Sequence, residues 1–362
     1  MSSELPENHI ADHSLLTVLK DFGIEHANTQ RLGNGLINKT YLIETDKKYI
    51  LQQINTQVFK HPENIGHNLS LYATYLSEKY PEYPCIKIIK TVTGAQFAEQ
   101  NGAYWRLQEF VKDSYTLNQA DSTAIAYEAG KAVGELTAKL AGLALEGFYD
   151  TIPDFHNLVL RYEQFQESIL KGNPLRIKAC KDVIPDFIGK KGIVDTYKHL
   201  VESNIIPLRI QHHDTKINNV LFHYKTHKSI GLCDMDTLMP GYFISDLGDM
   251  LRTYLCNFNE EHTQFNELDI RVPFYVSLMT GYLSQTKAIL TDEEKSYIFY
   301  AGEFMIYMQA LRFLTDYLND DIYYGSSYEG QNLNRALNQM TLLNVYQQKV
   351  GLLQHIIKDL LK

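Results

Sequence analysis

The chain has 362 residues and a formal net charge of −9, with 44% hydrophobic and 21% charged residues. This length and composition are typical of two lobes or domains with a sizeable buried core, and they exclude a disordered protein. Because the sequence contains no long block of Lys and Arg, nucleic acid is excluded as the main partner.

Cysteine usage and hydropathy indicate the expected compartment. The four cysteines are widely spaced and form no Cys-x-x-Cys pair, so neither a zinc site nor a disulfide framework is predicted. The N-terminus has no apolar signal core, and no apolar run reaches the length of a membrane span. We therefore expect a cytoplasmic protein without a membrane partner. The sequence leaves its oligomeric state unknown.

The N-terminal part of the chain predicts a small lobe built on short strands. Apolar residues at helical spacing predict a helix over 14–22 that ends at Gly23. A second helical pattern covers 64–78. The predicted strands are 40–45, 49–54 and 103–111.

A glycine-rich stretch precedes the first of these strands. Gly33, Asn34, Gly35 and Asn38 occupy a Gly-x-Gly-x-x-Asn pattern. Glycines lack a Cβ, so their backbone N–H groups can approach phosphate oxygens closely. Alone, such a pattern is more typical of an ordinary hairpin turn, so the phosphate-binding interpretation depends on the motifs further along the chain.

The pattern becomes helical from Asp121 onward. Apolar residues recur there at spacings of three and four, which predicts one long helix with a stripe facing the core. The stripe consists of Ile125, Ala129, Val133, Leu136 and Leu140. Further helices are predicted over 184–202, over 332–362, and from the capping box Thr291-Asp-Glu-Glu to about 319.

Between these helices lies the stretch with the clearest chemistry. In Asp-Thr-Lys-Ile-Asn-Asn-Val-Leu-Phe, Asp214 is followed by Lys216 and Asn219, and then by an apolar run. A second short apolar run, 230–233, ends on Asp234 and Asp236. Two acidic clusters beside short strands would bring carboxylates and an amide oxygen together, and these are the ligands that Mg²⁺ prefers when it carries phosphate.

Phosphoryl transfer requires side chains of these types. A carboxylate accepts the proton of the attacking hydroxyl, a cation neutralises the transferring group, and an amide and a second carboxylate hold the metal. Asp214, Lys216, Asn219 and Asp234 can fill those roles in that order, and Asp236 can assist the metal. The alternative is a surface loop in which Asp and Asn only cap strands, and two spaced motifs in the right order make it unfavoured.

The two motifs resemble those of a known superfamily. The catalytic stretch, Asp-Met-Asp-Thr-Leu-Met-Pro-Gly and Asp-Leu-Gly-Asp are similar to the aminoglycoside phosphotransferase and choline kinase branch of the protein-kinase-like proteins, and most narrowly to N-acetylhexosamine 1-kinases. The resemblance implies an α+β bilobal fold. Residues 1–109 would form a nucleotide-binding lobe with an antiparallel sheet, and 110–362 a mainly helical catalytic and substrate-binding lobe.

The resemblance also implies the cofactors and the residues that bind them. ATP and Mg²⁺ are the expected cofactors, with the glycine-rich stretch covering the nucleotide. Glu109 and Val111 would meet the adenine edge at the linker between the lobes. Asp246, at the start of a predicted helix with Asp249, would have a scaffolding role behind the catalytic loop. From the residues alone, both carboxylates are expected to cap that helix.

A phrase near the C-terminus resembles the region where N-acetylhexosamine kinases bind sugar hydroxyls. In Leu-Arg-Phe-Leu-Thr-Asp-Tyr-Leu, the resemblance makes Arg312, Asp316 and Tyr317 candidate substrate residues. An Arg and an Asp one helical turn apart more often form a surface ion pair of little energetic value, and that alternative stays open.

The sequence departs from the usual kinase pattern at one place. The strand after the glycine-rich hairpin usually carries a lysine, but here it reads Leu51-Gln52-Gln53. N-acetylhexosamine kinases tend to carry Leu-Gln there as well. Phosphate binding would then fall to Lys216, Mg²⁺ and the loop amides, with Lys39 as a further candidate. The departure leaves open a pseudokinase that binds nucleotide without turnover.

The expected function is transfer of the ATP γ-phosphoryl group to the anomeric hydroxyl of an N-acetylhexosamine such as GlcNAc or GalNAc. An anomeric hydroxyl is more acidic than an ordinary alcohol, so a modest base suffices. The alternative acceptors are another sugar, an aminoglycoside, choline or homoserine. Besides an active kinase and a pseudokinase, a non-enzymatic scaffold is a third class of function. The sequence does not distinguish ATP from GTP.

Overall fold

The computed structural model describes residues 13–32 and 38–362. Contacts between Cα atoms divide the chain into two compact units. The first unit comprises residues up to Ser114 together with Gly147–Pro153, and the second comprises Tyr115–Glu146 and Asp154–Lys362. The division falls a few residues after the predicted boundary at 109/110, and the inclusion of Gly147–Pro153 in the first unit was not predicted.

The first unit contains an antiparallel sheet. Its strands follow the order β1-β2-β3-β6-β4, and β5 also pairs with β6. The strands are β1 (Asn28–Leu32), β2 (Lys39–Glu44), β3 (Lys48–Ile54), β4 (Ile88–Ile89), β5 (Ala98–Gln100) and β6 (Ala103–Glu109). The strands predicted from alternation are confirmed, whereas β1 and β5 were not predicted.

One face of this sheet forms the core of the unit. Ile43, Leu51 and Leu107 are buried there together with the apolar side of helix α1 (His13–Asp21). As predicted, the chain leaves α1 at Gly23, whose φ of +74° favours glycine. The second helix of the unit is α2 (Pro62–Lys79).

The second unit is mainly helical. Its helices are α3 (Thr123–Leu140), α4 (Leu158–Lys171), α5 (Pro174–Ala179), α6 (Ile184–Gly189), α7 (Lys191–Glu202), α8 (Phe243–Tyr254), α9 (Val272–Thr286), α10 (Asp292–Ser296), α11 (Ile298–Leu318), α12 (Gln331–Gln348) and α13 (Val350–Leu361). Short strands complete it: β7 (Ser114–Tyr115), β8 (Arg209–Gln211), β9 (Val220–His223), β10 (Ser229–Leu232) and β11 (Met239–Gly241). Two small sheets result, β10-β9-β7 and β11-β8.

Three predicted helices are each interrupted in the structure. The predictions over 184–202, 291–319 and 332–362 were wrong in treating each stretch as one helix. Lys190, Tyr297 and Lys349 separate the halves, and each has ψ near 10° instead of a helical value (9°, 11° and 8°). None of these residues is Gly or Pro, so the sequence contained no breaker at these positions. The apolar stripe predicted for α3 is buried as expected.

Close packing fixes the helix that lies beside the site described below. Helix α8 packs against α11 at Gly248, where a Cβ would overlap the backbone oxygen of Ala301. The α+β fold, with an N-terminal antiparallel sheet followed by a helix-rich part, confirms the predicted fold class. Among the described residues, no helix combines the length and the hydropathy needed to cross a bilayer.

Candidate active site

The predicted catalytic stretch lies in the second unit, between β8 and β9. It leaves β8 through His212 and His213 and ends in a 3₁₀ turn, Ile217–Asn219. His213 has a left-handed backbone, with φ of 65°. A Cβ at Gly241, on strand β11 that pairs with β8, would overlap the His213 ring, so a larger residue at position 241 would displace that ring.

The structure brings Asp214, Lys216 and Asn219 together, as the spacing predicted. Lys216 Nζ lies 2.9 Å from Asp214 Oδ1. The side-chain nitrogen of Asn219 donates to Asp214 Oδ2 at 3.1 Å and to the Asp214 backbone oxygen at 2.8 Å. Each carboxylate oxygen therefore has its own donor, which fixes the orientation of the carboxylate. The Asp214 side chain remains 23% exposed, so a hydroxyl can reach it.

These contacts determine the charges of the pair. Burial raises the pKa of Asp214, but the Lys216 ammonium and the Asn219 amide outweigh burial and hold the pKa below its ordinary value. The Asp214 carboxylate in turn raises the pKa of Lys216 above its ordinary value. At neutral pH the site therefore contains an ionised carboxylate beside an ammonium group, the charges that phosphoryl transfer requires.

His212 connects the first motif to the second. The backbone N–H of Asp214 donates to His212 Nδ1 at 3.2 Å, and His212 Nε2 lies 2.9 Å from the backbone oxygen of Cys233. Because Nδ1 accepts, Nε2 carries the proton and donates to Cys233. Thr237 Oγ1 also donates to the His212 backbone oxygen at 2.6 Å. No role was predicted for His212, although its His-x-Asp spacing from Asp214 is a signal in the sequence.

Asp246, in the first turn of α8, holds the backbone of the catalytic stretch by hydrogen bonds. Its two carboxylate oxygens accept the backbone N–H groups of His212 (2.9 Å) and His213 (2.6 Å). Its backbone oxygen accepts a hydrogen bond from Thr215 Oγ1 at 2.7 Å. The expectation that Asp246 caps its own helix is therefore wrong, because the carboxylate binds the amides of the preceding loop. This geometry agrees with the scaffolding role that the resemblance implied.

The ionisation of Asp246 predicts how activity depends on pH. Burial raises its pKa to about 6, although the bonds from His212 and His213 lower it. As the pH falls through about 6, the carboxyl group gains a proton and accepts the two amides less well. We therefore expect kcat/KM to fall on the acid side with an apparent pKa near 6. Asp214, whose pKa is lowered, stays ionised in that range.

The measurement compares kcat/KM against pH for the unmodified protein and Asp246→Asn. The amide has no proton to gain in this range, so the variant loses the acid limb near pH 6. At pH 8 its activity is about 10- to 100-fold lower, because one loop amide has lost a charged acceptor. ATP ionises identically in both assays, so the difference isolates Asp246. An unchanged acid limb in the variant would contradict this assignment.

The predicted metal residues lie next to one another. Both hydrogen bonds of the Asn219 side chain use its nitrogen, which leaves Oδ1 as the atom able to bind a cation. The Cys233 N–H donates to the Asn219 backbone oxygen at 2.9 Å and so holds Asp234, whose φ is 60°, beside it. Asp236 follows in a 3₁₀ turn and is buried.

This donor set fits Mg²⁺ rather than a cation enclosed by protein. Among the described residues, no group of three or more His, Cys, Asp and Glu side chains is arranged to hold a metal ion. Mg²⁺ commonly binds through one or two carboxylates and the phosphates of its substrate, so an amide oxygen and a carboxylate suffice. The roles of Asn219, Asp234 and Asp236 stay predictions.

A buried ionic network extends from α8 towards the C-terminus. Arg252 donates to Asp249 Oδ1 through Nε (3.3 Å) and Nη2 (3.1 Å), and to Glu260 Oε2 through Nη1 (3.0 Å). Arg335 of α12 pairs with the other Glu260 oxygen. Burial raises the pKa of Asp249, whereas the two arginines overcome the effect of burial and lower that of Glu260. Asp249 therefore also does not cap α8.

The three predicted substrate residues lie in different surroundings. The guanidinium of Arg312 lies over the rings of Phe155 (5.5 Å), Tyr323 (5.5 Å) and Tyr324 (5.4 Å), and among the described residues the Asp316 carboxylate bonds to other groups and forms no ion pair with Arg312. The surface ion-pair alternative is therefore wrong.

Asp316 and Tyr317 have structural partners. The Asp316 carboxylate accepts the backbone N–H groups of Tyr323 (2.7 Å) and Tyr324 (2.9 Å) and a bond from Asn332 (3.2 Å). It thus shapes the turn that carries the two rings beside Arg312. Tyr317 packs instead under the Arg176 guanidinium, 4.6 Å from its ring centre. The structure therefore does not place Tyr317 beside Arg312.

Two further aromatic residues link the catalytic stretch to Arg312. His213 and His156 approach through their Nδ1 atoms at 3.3 Å, and His156 stacks on Phe155 with ring centres 4.4 Å apart. Arg161 donates to the backbone oxygen of Phe155 at 3.2 Å. Successive contacts thus lead from the residue before Asp214 to Arg312. The only signal for these contacts in the sequence is the phrase Phe155-His156-Asn157, and no spacing relates it to the catalytic stretch.

The predicted nucleotide residues belong to the first unit. Gly33, Asn34 and Gly35 lie outside the described residues. Asn38 is buried, and its Oδ1 accepts the backbone N–H of Asn55 at 3.0 Å. The Glu109 N–H donates to the Lys87 oxygen at 3.0 Å, and the Val111 oxygen accepts from Ser114 Oγ at 2.6 Å. The nucleotide-binding roles of these residues stay predictions.

Comparison with known proteins agrees with this architecture. The sequence model of a family described as the phosphotransferase enzyme family (APH) matches residues 28–271, well over half of the chain. The match covers the β-sheet of the first unit and both motifs of the catalytic stretch.

Several solved structures share the fold over nearly the whole chain. A microcompartment-associated aminopropanol kinase superposes with a TM-score of 0.67 at 14% identity, covering 94% of this chain and 98% of that one. An ethanolamine kinase from Plasmodium vivax superposes with a TM-score of 0.59 at 15% identity, covering 89% of this chain and 84% of that one. An amicoumacin kinase in complex with AMP-PNP and Ca²⁺ superposes with a TM-score of 0.59 at 14% identity, covering 86% of this chain and 87% of that one. At these identities the likeness shows the fold alone.

Proposed function

The chain belongs to the phosphotransferase enzyme family, and on that premise we propose that it transfers the γ-phosphoryl group of ATP to the anomeric hydroxyl of an N-acetylhexosamine such as GlcNAc or GalNAc. The observation that carries phosphoryl transfer is the arrangement of Asp214, Lys216 and Asn219. Within it, an oriented and ionised carboxylate lies 2.9 Å from an ammonium group.

Each residue of this set has a separate task in the transfer. Asp214 orients the acceptor hydroxyl and takes its proton as the bond to phosphorus forms. The Lys216 ammonium neutralises charge on the transferring group. It lies beside the Asp214 carboxylate, and 44% of its side chain is exposed, so a phosphoryl group can reach it. Asn219 and Asp234 would hold Mg²⁺, which when bound supplies positive charge to the phosphate oxygens.

Groups near Arg312 support a neutral acceptor over a cationic one. Burial lowers the pKa of His156 well below its usual value, and His213, Arg312 and Arg161 lower it further. Burial and Arg312 likewise lower the pKa of Arg161. Burial is the main cause of both shifts, and the contribution of Arg312 shows that two guanidinium groups, Arg312 and Arg161, act on this side of the catalytic stretch. Two positive charges about 6 Å apart repel by roughly 3 kcal/mol at an effective dielectric constant of about 20, which would weaken an ammonium-bearing acceptor more than 100-fold.

Amino alcohols are the second candidate acceptors. Two of the structural neighbours are named as an aminopropanol kinase and an ethanolamine kinase, and both acceptors carry an amine. The names of these neighbours motivate this class, whereas the positive surroundings of Arg312 oppose it.

The decisive test is ADP release from Mg·ATP against a panel of acceptors. The panel contains GlcNAc, GalNAc, glucosamine, glucose, galactose, choline, ethanolamine, homoserine and kanamycin. We expect turnover to be stimulated by the N-acetyl sugars, because a neutral hydroxyl acceptor is compatible with Arg312 and Arg161 and a cation is not. The matched comparison is GlcNAc against glucosamine, which differs by carrying an ammonium group in place of the acetamide.

The panel separates the candidates. Stimulation by GlcNAc and not by glucosamine would support both the class and the electrostatic argument. Stimulation by ethanolamine or choline alone would contradict the sugar assignment and leave the phosphotransferase activity intact. Mg·ATP binding with no stimulated turnover by any acceptor would favour the pseudokinase.

A further inference from the structure

The first unit lacks a lysine at the place where protein kinases carry one. In those enzymes a lysine on the third strand of the small lobe pairs with the nucleotide phosphates. Here β3 reads Lys-Tyr-Ile-Leu-Gln-Gln-Ile, with its only lysine, Lys48, exposed at the start of the strand and paired with Glu44. Gln52 lies near the other end of β3, opposite Thr40 at the start of β2.

Gln52 has a cationic neighbour across the sheet. Arg106 of β6 lies directly opposite Gln52, and Thr40 of β2 lies opposite it on the other side. Directly opposed residues point to the same face of a sheet, and successive residues alternate between faces. Since Leu51 points into the core under α1, the three polar side chains share the opposite face.

The side chains on this face are hydrogen-bonded in a row. Arg106 Nη2 donates to Gln52 Oε1 at 2.6 Å, and Gln52 Nε2 donates to Thr40 Oγ1 at 3.4 Å. Arg106 is fully buried, at 0% exposure. A guanidinium does not lose its proton in proteins, and charge acts more strongly in a medium of low dielectric constant. The row therefore holds a permanent positive charge close to the strand that leaves the glycine-rich stretch.

We propose that Arg106, oriented by Gln52, supplies the positive charge beside the nucleotide phosphates that a lysine on β3 supplies in protein kinases. This inference rests on the proposed function, because it requires the first unit to bind ATP. It also accounts for the glutamine: a lysine at position 52 would bring a second positive charge against Arg106, whereas the amide oxygen accepts from it. Because it is fully buried, Arg106 is a positioning residue and not a catalytic one.

The test uses the full chain and a fluorescent ATP analogue, mant-ATP, with Mg²⁺ and without acceptor. Arg106→Gln removes the charge, and we expect the Kd of mant-ATP to rise about 10- to 100-fold, as loss of one partly screened charge near the phosphates predicts. The KM for ATP should rise in parallel, while the KM for the acceptor stays within about twofold. The matched control is Lys48→Gln, an exposed cation on β3, whose Kd should stay within about twofold.

A charge swap distinguishes an electrostatic role from a purely structural one. Gln52→Lys combined with Arg106→Gln moves the charge to the strand that carries it in protein kinases, and we expect the Kd to return to within about threefold of the unmodified value. A folded swap variant that binds as weakly as Arg106→Gln would overturn the proposal. If the swap variant fails to fold, Arg106→Lys, which keeps the charge at position 106, takes its place, and binding by it as weak as that of Arg106→Gln would overturn the proposal.

The outcomes also separate this inference from the proposed function. If the unmodified protein binds no mant-ATP, both fail. If it binds mant-ATP and Arg106→Gln binds equally well, only the inference fails. If Arg106→Gln weakens binding and the swap restores it while no acceptor is phosphorylated, the inference stands and the catalytic proposal fails.

Discussion

Asp214→Asn is expected to lower kcat about 10³-fold or more while leaving the Kd of Mg·ATP nearly unchanged. The amide keeps the size of the side chain but cannot take the proton of the acceptor hydroxyl, and positioned proton transfer contributes about 10²- to 10⁴-fold. The loss of the charge that pairs with Lys216 at 2.9 Å adds to this effect. Single-turnover kinetics gives the chemical step, and calorimetric titration gives the Kd.

The matched control for this variant is Asp195→Asn. Asp195 forms a similar carboxylate–lysine pair with Lys191, at 2.6 Å, but on the surface of α7. We expect its kcat to remain within about twofold of the unmodified value. Turnover by Asp214→Asn at more than about a tenth of the unmodified rate would remove Asp214 from the role of base.

Glu294→Ala is expected to produce the largest loss of stability in the second unit. Glu294 is fully buried, and its carboxylate forms a two-pronged pair with Arg209 of β8, including Arg209 Nη2 to Oε2 at 2.9 Å. It also accepts the Thr291 N–H at 2.8 Å, which completes the predicted capping box. Removing one partner leaves the other charge buried without compensation, which costs about 3–5 kcal/mol.

Urea unfolding followed by far-ultraviolet circular dichroism measures this effect, because the second unit is mainly helical. Fluorescence would not, since the single tryptophan, Trp105, belongs to the first unit. Glu293→Ala, at the exposed neighbouring position, is the control and should cost less than about 0.5 kcal/mol. Arg209→Met combined with Glu294→Leu removes both charges and should recover most of the loss. A Glu294→Ala variant within about 1 kcal/mol of the unmodified protein would contradict this account.

The core of the candidate site could be predicted because its geometry is local. Asp214, Lys216 and Asn219 are joined by one turn, so their spacing could predict that they lie close together, whereas the hydrogen bonds of Lys216 and Asn219 to the Asp214 carboxylate were not predicted. The same holds for the capping box at Thr291, whose two hydrogen bonds join residues three positions apart. Such patterns can be recognised in a sequence because the residues that form the hydrogen bonds are only a few positions apart.

Contacts between distant segments could not be predicted in this way. The Asp246 carboxylate binds amides more than 30 positions away, and Arg335 of α12 reaches Glu260 in the loop between α8 and α9. Both depend on how the helices pack, and packing has no sequence period. The buried Arg106 beside Gln52 is a similar case, since only the register of β3 and β6 places them together. The helix breaks were missed because the break residues have no special side chain.

The central claim is tested most directly by ³¹P nuclear magnetic resonance of the product formed from GlcNAc and Mg·ATP. The account predicts one new phosphomonoester whose phosphorus couples to the anomeric proton H1. A phosphorus signal coupled to the H6 protons, or no phosphorylated sugar at all under conditions where an amino alcohol is phosphorylated, would contradict it.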